Sequence, residues 1–284
     1  MPVVELPEPP RLAVLYGRAA AGLLPGRRTG REVPDLVLVR RQVPVDRSGL
    51  AGFARVCRFR LTDMLPATYP HILAFPLALQ LMTSPGFPFP AAGVVHLANR
   101  IELHRPLPVE QPLDLAVHAE GLRPHHRGQQ LDLVAVASVA GGEVWRGVST
   151  YLHRSGAGSG SGDPADRPEP PEPSAVWRVG AEIGRAYAAV SGDWNPIHTS
   201  TLAARAFGFR GRIAHGMWTK ARCLAQLGSR LPDAYAVAVS FQSPIRLPAT
   251  VGFSANRSGG SFAVHDRRSG RPHLTGTIEP APET

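Results

Sequence analysis

The sequence predicts an α+β fold made twice along one chain, each half a helix wrapped by an antiparallel sheet. Three observations carry this. The length of 284 residues is enough for two ordinary domains. Residues 155–174 read SGAGSGSGDPADRPEPPEPS, a Gly, Ser and Pro tract with no apolar period that can pack into a core. On either side of that tract an apolar helical run is followed by a strand at the same offset. The expected division is therefore 1–154, a linker at 155–174, and 175–284.

In the first half, His71 opens HILAFPLALQLM, an apolar helical run. Its most hydrophobic stretch, Ile72 to Met82, is 11 residues long and contains Pro76, which suits a buried core helix and is too short for a membrane span. Val95 then opens the strand VHLANRIEL, and Leu113 to Glu120, Leu131 to Ala140 and Val144 to His153 supply further strands, with turns at RPHHRG and AGG. In the second half, His215 opens HGMWTKARCLAQL, and Gly216 to Leu227 has helical spacing of its apolar positions. Tyr235 to Phe241, Val251 to Ala255, Ser261 to Asp266 and Pro272 to Glu279 read as strands between SGG and RRSG turns. An offset of 144 residues aligns His71 with His215, Val95 with Val239, Ile101 with Ile245 and Leu103 with Leu247. Those pairs are expected at equivalent places in the two halves.

Composition narrows the function. Hydrophobic residues make up 43% and charged residues 19%, the balance of a folded globular chain. The formal charge is +9, yet Lys220 is the only lysine. No dense basic run is interleaved with aromatics, so a nucleic-acid partner is not expected. Arginine suits the phosphates of a small acidic ligand or the surface of an acidic carrier protein. Cys57 and Cys223 stand far apart without a C-x-x-C pair, which argues against disulfides and zinc and for a reducing compartment. Met1 to Arg11 lacks the basic start and apolar stretch of a secretion signal. A cytoplasmic location is the expectation.

The chemistry-bearing segment is YAAVSGDWNPIH, from Tyr187 to His198. A carboxylate, an amide and an imidazole (Asp193, Asn195 and His198) fall within six residues of one another. Gly192 permits a turn that other residues resist, and Pro196 biases Asn195 away from helix. Gly-Asp-x-Asn-Pro by itself is an ordinary turn sequence. His198, and the downstream His215-Gly216-Met217 at the start of the apolar helix, raise it above that. The first N–H groups of a helix have no internal partner and carry partial positive charge, so Gly216 N–H is placed to polarise a carbonyl oxygen.

From Tyr187 to Ala204, and again at HGM, the chain resembles the signature of the MaoC-like family of (R)-specific enoyl-CoA hydratases and 3-hydroxyacyl-thioester dehydratases. An aromatic residue, a small residue, Gly-Asp, one variable residue, Asn-Pro, an aliphatic residue and His recur there in that order. The resemblance implies a hot-dog fold in double form, with an active C-terminal lobe. The N-terminal lobe has no Asp-x-Asn-Pro-x-His, so it would be degenerate and leave room for a bulky or long acyl chain. The implied reaction is hydration of a trans-2-enoyl thioester, or its reverse, which needs two positioned acid/base groups. Asp193 and His198 would supply them, Asn195 would fix the loop or the water, and Gly216 N–H would hold the thioester oxygen.

Ser191, Trp194, His215, Met217 and Arg212 are the expected substrate contacts. No metal and no redox cofactor are expected, with coenzyme A or phosphopantetheine entering only as part of an acyl-CoA or acyl-carrier-protein substrate. A second copy of the chain is a further candidate partner. Several residues keep two readings at this point. His215 is a second acid/base or a structural hydrogen-bonding group, and Trp194 and Trp218 are pocket walls or core. Arg205, Arg210 and Arg212 are phosphate contacts or a solvated face, while His125-His126 is a turn facing water. A metal pair of His198 and His215 lacks partners in standard spacing. Two other functions compete: a non-catalytic acyl-thioester-binding subunit, and a hot-dog thioesterase.

Overall fold

The computed structural model describes residues 1–23, 30, 32–154 and 172–281; most of the tract read as a linker, 155–171, lies outside the described residues. The chain opens with β1 (Val3–Glu5), α1 (Leu12–Ala21), β2 (Val37–Val43), α2 (Arg47–Cys57) and α3 (Tyr69–Met82). Four strands follow: β3 (Val95–Leu103), β4 (Leu113–His125), β5 (Gly128–Val139) and β6 (Gly142–Arg154). After the tract come β7 (Ala175–Val179), α4 (Ile183–Ser191), α5 (Pro196–Thr199), α6 (Thr201–Ala206) and α7 (Gly216–Leu227). The chain closes with β8 (Tyr235–Phe241), β9 (Ala249–Ala255), β10 (Ser261–Asp266) and β11 (Pro272–Pro280).

The eleven strands among the described residues form one sheet in the order β1-β2-β4-β5-β6-β3-β8-β11-β10-β9-β7. Its two five-stranded halves, β2-β4-β5-β6-β3 and β8-β11-β10-β9-β7, repeat the same connectivity and meet where β3 pairs antiparallel with β8, from Ala98↔Ser240 to Leu103↔Tyr235. Each half curves around one long apolar helix, α3 or α7, which is the hot-dog arrangement made twice. Helix α7 is buried around most of its circumference, including Met217, Trp218, Ala221, Cys223 and Leu224. Among the described residues no helix is long and apolar enough to cross a membrane.

The seam holds the chain's single lysine. Lys220 on α7 is fully buried, and its ammonium donates to Asn99 O at 3.2 Å, Asn99 Oδ1 at 2.5 Å and Val237 O at 3.0 Å. Three acceptors match its three donors. Asn99 lies on β3 and Val237 on β8, so the side chain ties the two half-sheets together from the helix side.

Three expectations are corrected. The first is the register of the repeat. Met64 bridges Pro108 and Ile213 bridges Arg246, while Leu65 N–H donates to Leu107 O at 2.8 Å and Ala214 N–H to Ile245 O at 2.9 Å. Ile245 is thus the counterpart of Leu107, not of Ile101, and it lies beyond β8, which ends at Phe241. Second, the turn expected over RPHHRG is mostly strand. After an irregularity near Gly121, where φ is +63°, Arg123↔Gln130, Pro124↔Gln129 and His125↔Gly128 remain paired. β2 covers β4 only from Leu113 to Val117, so Pro124 sits at a free edge, where a missing N–H is tolerated. Third, each half carries more than one helix: α1, α2 and α4 join the long ones, and α2 packs against α4 across the two halves.

Candidate active site

Local sequence shapes the loop that follows α4. Gly192 closes that helix in the left-handed region at φ +75°, and a Cβ there would stand 2.7 Å from Leu12 Cδ1, so both conformation and space call for glycine. Asp193 Oδ1 accepts the Asn195 N–H at 3.2 Å, a local turn closed by the carboxylate. Asn195 Oδ1 in turn accepts the Ile197 N–H at 3.4 Å and caps α5, whose first residue is Pro196. His198 therefore emerges from a one-turn helix pinned at its start. Its other side is set by α4, where Gly184 lets the helix backbone press against the His198 carbonyl: a Cβ at Gly184 would lie 2.2 Å from that oxygen.

These devices converge three side chains. Ligand-type atoms of Asp193, His198 and His215 all lie within 4.8 Å of one another. His198 Nδ1 faces the Ile213 carbonyl at 2.9 Å; a carbonyl only accepts, so Nδ1 holds the proton and Nε2 presents a lone pair. His215 Nε2 donates to the Asp193 backbone carbonyl at 2.9 Å and stands 3.8 Å from Asp193 Oδ2. Burial holds the His198 imidazole below its usual range, against the opposing pull of Asp193 and of the Ile213 carbonyl. His215 lies well below its usual range, through burial first and then through the neighbouring His198 ring.

Beside this cluster α7 begins at Gly216, whose N–H has no intrahelical acceptor. A Cβ there would meet the Phe241 ring at 2.9 to 3.0 Å, so the helix start approaches β8 closely only because the residue is glycine. The site opens into a cavity of about 620 Å³ lined by both halves of the chain. From the C-terminal half come Asp193, Asn195, His198, His215, Gly216 and Met217. From the N-terminal half come α1 through Leu12 and Tyr16, α3 through His71, Phe75, Leu79 and Met82, and the sheet through His96 and Tyr151. Helix α1 is not expected from the sequence. A wall from the N-terminal lobe is, since the resemblance implies room there for the acyl chain, and Phe75 on α3, readable from the sequence as pocket wall or core, lines the cavity.

The expected substrate contacts divide. Ser191, Trp194, His215 and Met217 line the cavity and Arg212 does not. Arg212 is half-buried, with its carbonyl accepting the Leu247 N–H at 2.9 Å; Arg205 and Arg210 are exposed. Ser191 uses its hydroxyl to accept the Asp193 N–H at 3.1 Å, which shapes the loop. Trp194 is 45% exposed and is a wall, not core. Trp218 is core, and its indole N–H donates to Val56 O at 3.2 Å. Asp193 does stand beside His198 and His215 as a third ligand-type group, which the spacing alone did not reveal. One nitrogen of each ring is nevertheless engaged by a backbone carbonyl, His198 Nδ1 by Ile213 and His215 Nε2 by Asp193.

A carboxylate and a neutral imidazole facing one cavity beside an unpartnered helix N–H, on a double hot-dog, define an acid/base enzyme of the thioester-hydratase class. Comparison with known proteins makes that specific. The MaoC like domain matches residues 169–273. A 3-hydroxyacyl-thioester dehydratase X of Mycobacterium tuberculosis is 41% identical over 266 residues, 92% of this chain and 95% of that protein. The crystal structure of HtdX from the same organism superposes with a TM-score of 0.78 at 38% identity, covering 86% of this chain and 99% of that one. An (R)-specific enoyl-CoA hydratase of Rhodospirillum rubrum is 39% identical over 69 residues, 23% of this chain and 48% of that protein. The chain belongs to the MaoC-like dehydratase family.

Proposed function

We propose that the protein interconverts trans-2-enoyl and (R)-3-hydroxyacyl thioesters by adding or removing water, as a hydro-lyase of acyl metabolism. The carrying observation is that Asp193, His198 and the Gly216 N–H face a single cavity. In the hydration direction one water sits between the Asp193 carboxylate and His198 Nε2. Its oxygen bonds to Cβ while Nε2 takes one proton, and the thioester oxygen gathers negative charge against the Gly216 N–H. The proton on His198 then passes to Cα, so water is consumed and both side chains end unchanged. Asp193 orients the water and balances the transient imidazolium. A preorganised donor such as Gly216 N–H contributes roughly 3 to 4 kcal/mol to such a transition state.

This chemistry needs no metal or redox group, only the coenzyme A or phosphopantetheine arm that the substrate brings. The exposed Arg205 and Arg210 are candidates for its phosphates. The wall given by α1, α3 and β6 makes the N-terminal lobe the place for a long or bulky acyl chain. Cys57 and Cys223, both buried and free, suit a reducing cytoplasm. Two lobes in one chain already form the paired unit that single hot-dogs build by dimerising, and a further homodimer of this chain would add to it.

The test follows loss of enoyl absorbance with crotonyl-CoA, with chiral analysis of the 3-hydroxy product. Asp193→Asn and His198→Ala are each expected to stay folded and lose at least about a hundredfold in turnover, the scale of one acid/base group. Near-normal hydration by either variant removes that residue from the reaction. Release of free thiol without loss of the enoyl group makes the protein a thioesterase instead.

A further inference from the structure

The loop bearing Asp193 is held by a residue from far away in the chain. Tyr16 lies on α1, a helix with no counterpart in the other half among the described residues. Its hydroxyl donates to Gly192 O at 2.9 Å and accepts the Trp194 N–H at 2.6 Å. Those two groups flank Asp193 on either side. The loop itself offers little rigidity there: Trp194 N–H also reaches back to Gly192 O at 3.1 Å, a three-residue turn with Asp193 at its apex, and such tight turns are held by poor hydrogen-bond geometry. One phenol closes the open side of that turn through both of its polar functions. The contact is reinforced by shape, since Leu12, one helical turn before Tyr16, packs where a side chain at Gly192 would otherwise stand. Burial, followed by the nearby Asp193 carboxylate, pushes the Tyr16 phenol up, so it stays protonated and able to donate.

We infer that Tyr16 is the positioning residue of Asp193, and that α1 is part of the catalytic apparatus although it lies outside the repeated unit. The inference rests on the hydratase reading. Tyr16 fixes where the carboxylate points, and displacement of a reacting group by about 1 Å can cost a hundredfold in rate. The effect belongs to turnover and not to substrate affinity, because the hydroxyl is already engaged by backbone on both sides.

The test is Tyr16→Phe, which keeps the ring and removes one oxygen. Expected are a kcat lower by about tenfold to a hundredfold with KM within about threefold of the parent. In the Asp193→Asn background the same change is expected to cause no further loss, because Tyr16 acts through that carboxylate. Amide hydrogen exchange gives a readout independent of activity: the Trp194 N–H is expected to exchange faster in Tyr16→Phe. A kcat within threefold of the parent overturns the inference. So does a loss carried by KM alone, which makes Tyr16 a substrate contact, or losses that multiply with those of Asp193→Asn, which make its role general. Absence of hydration by the parent protein is a different failure: it removes the functional reading, while the Trp194 exchange still reports whether Tyr16 holds the turn.

Discussion

His198 and His215 lie ring on ring, with centroids 3.6 Å apart and planes 25° apart. Two imidazolium ions at that distance repel strongly, and burial already disfavours charge on either ring. Near neutrality both rings are therefore uncharged, and His198 Nε2 is free to take a proton from water. In the proposed reaction, acidification protonates one ring and removes the acceptor for the water proton. The kcat/KM for enoyl-CoA hydration is expected to be level around pH 7 and above, and to fall about tenfold per pH unit on the acid side. The break is expected below the ordinary histidine value of 6.5, in the direction burial shifts His198. A break above pH 7 in the pH–rate profile removes His198 as a neutral base.

Acid stability follows from the opposite wall of the cavity. His71 is lowered to about 4, by burial first and then by Lys220, and burial lowers His96 well below its usual range. Above pH 6.5 the ring is neutral whether the chain is folded or not, so its contribution is fully present. Between 6.5 and about 4 the unfolded chain binds a proton that folded His71 refuses, and stability drops as pH falls. At about 1.4 kcal/mol per pH unit, His71 alone accounts for at most about 3.5 kcal/mol. Denaturant unfolding across this range is expected to show the slope, and His71→Phe to flatten part of it. An unchanged slope in the variant assigns the acid sensitivity to other groups.

Gly184 opposes two general rules. Inside a helix, glycine is worse than alanine by about 1 kcal/mol, so Gly184→Ala would ordinarily stabilise α4. Here the added methyl would stand 2.2 Å from the His198 carbonyl oxygen and 3.1 Å from its carbon, both backbone atoms that cannot swing away. Overpacking of this kind costs about 1 to 3 kcal/mol. Relief comes by moving α5 and, with it, His198. Gly184→Ala is expected to lower Tm and to reduce kcat by about tenfold or more. A rise in Tm with unchanged turnover would show that α4 and α5 part without disturbing the base.

These contacts explain what could be read before the fold was seen. Gly216 to Leu227 and Tyr235 to Phe241 are bounded by local signals, helical spacing and a β-branched alternation, and the structure places both elements there. The Asp193-to-His198 loop was legible because turn chemistry and chemical groups fall within one short window. Most residues of the wall opposite were not. Tyr16, His71, His96 and Tyr151 come one by one from α1, α3, β3 and β6, and only the folded sheet brings them together. Register failed for a related reason: Leu107 and Ile245 are matched by what their carbonyls accept, from Leu65 and Ala214, and not by the similarity of their neighbours. Nothing in the sequence places Lys220, the chain's only lysine, against Asn99 and Val237, which only the folded sheet brings around it.

Gly216 offers the sharpest separation of space from chemistry. In the proposed reaction its N–H holds the thioester oxygen, and α7 starts so close to β8 that a Cβ on Gly216 would meet three atoms of the Phe241 ring at 2.9 to 3.0 Å. The Phe241 backbone is fixed by pairing with Leu274 on β11, and its ring lies 4.9 Å from that of His96 at the cavity wall. Gly216→Ala is therefore expected to push the helix start away from the thioester oxygen and to lower kcat by about a hundredfold, the scale of a lost oxyanion donor. If space is the reason, shortening the opposing side chain in the same molecule must undo it. Gly216→Ala with Phe241→Ala is expected to recover most of the turnover lost by the single variant, although alanine still occupies the helix start. Steady-state kinetics on the two proteins decide the matter: a double variant as slow as the single one would mean that the donor at this position does not depend on the approach to Phe241.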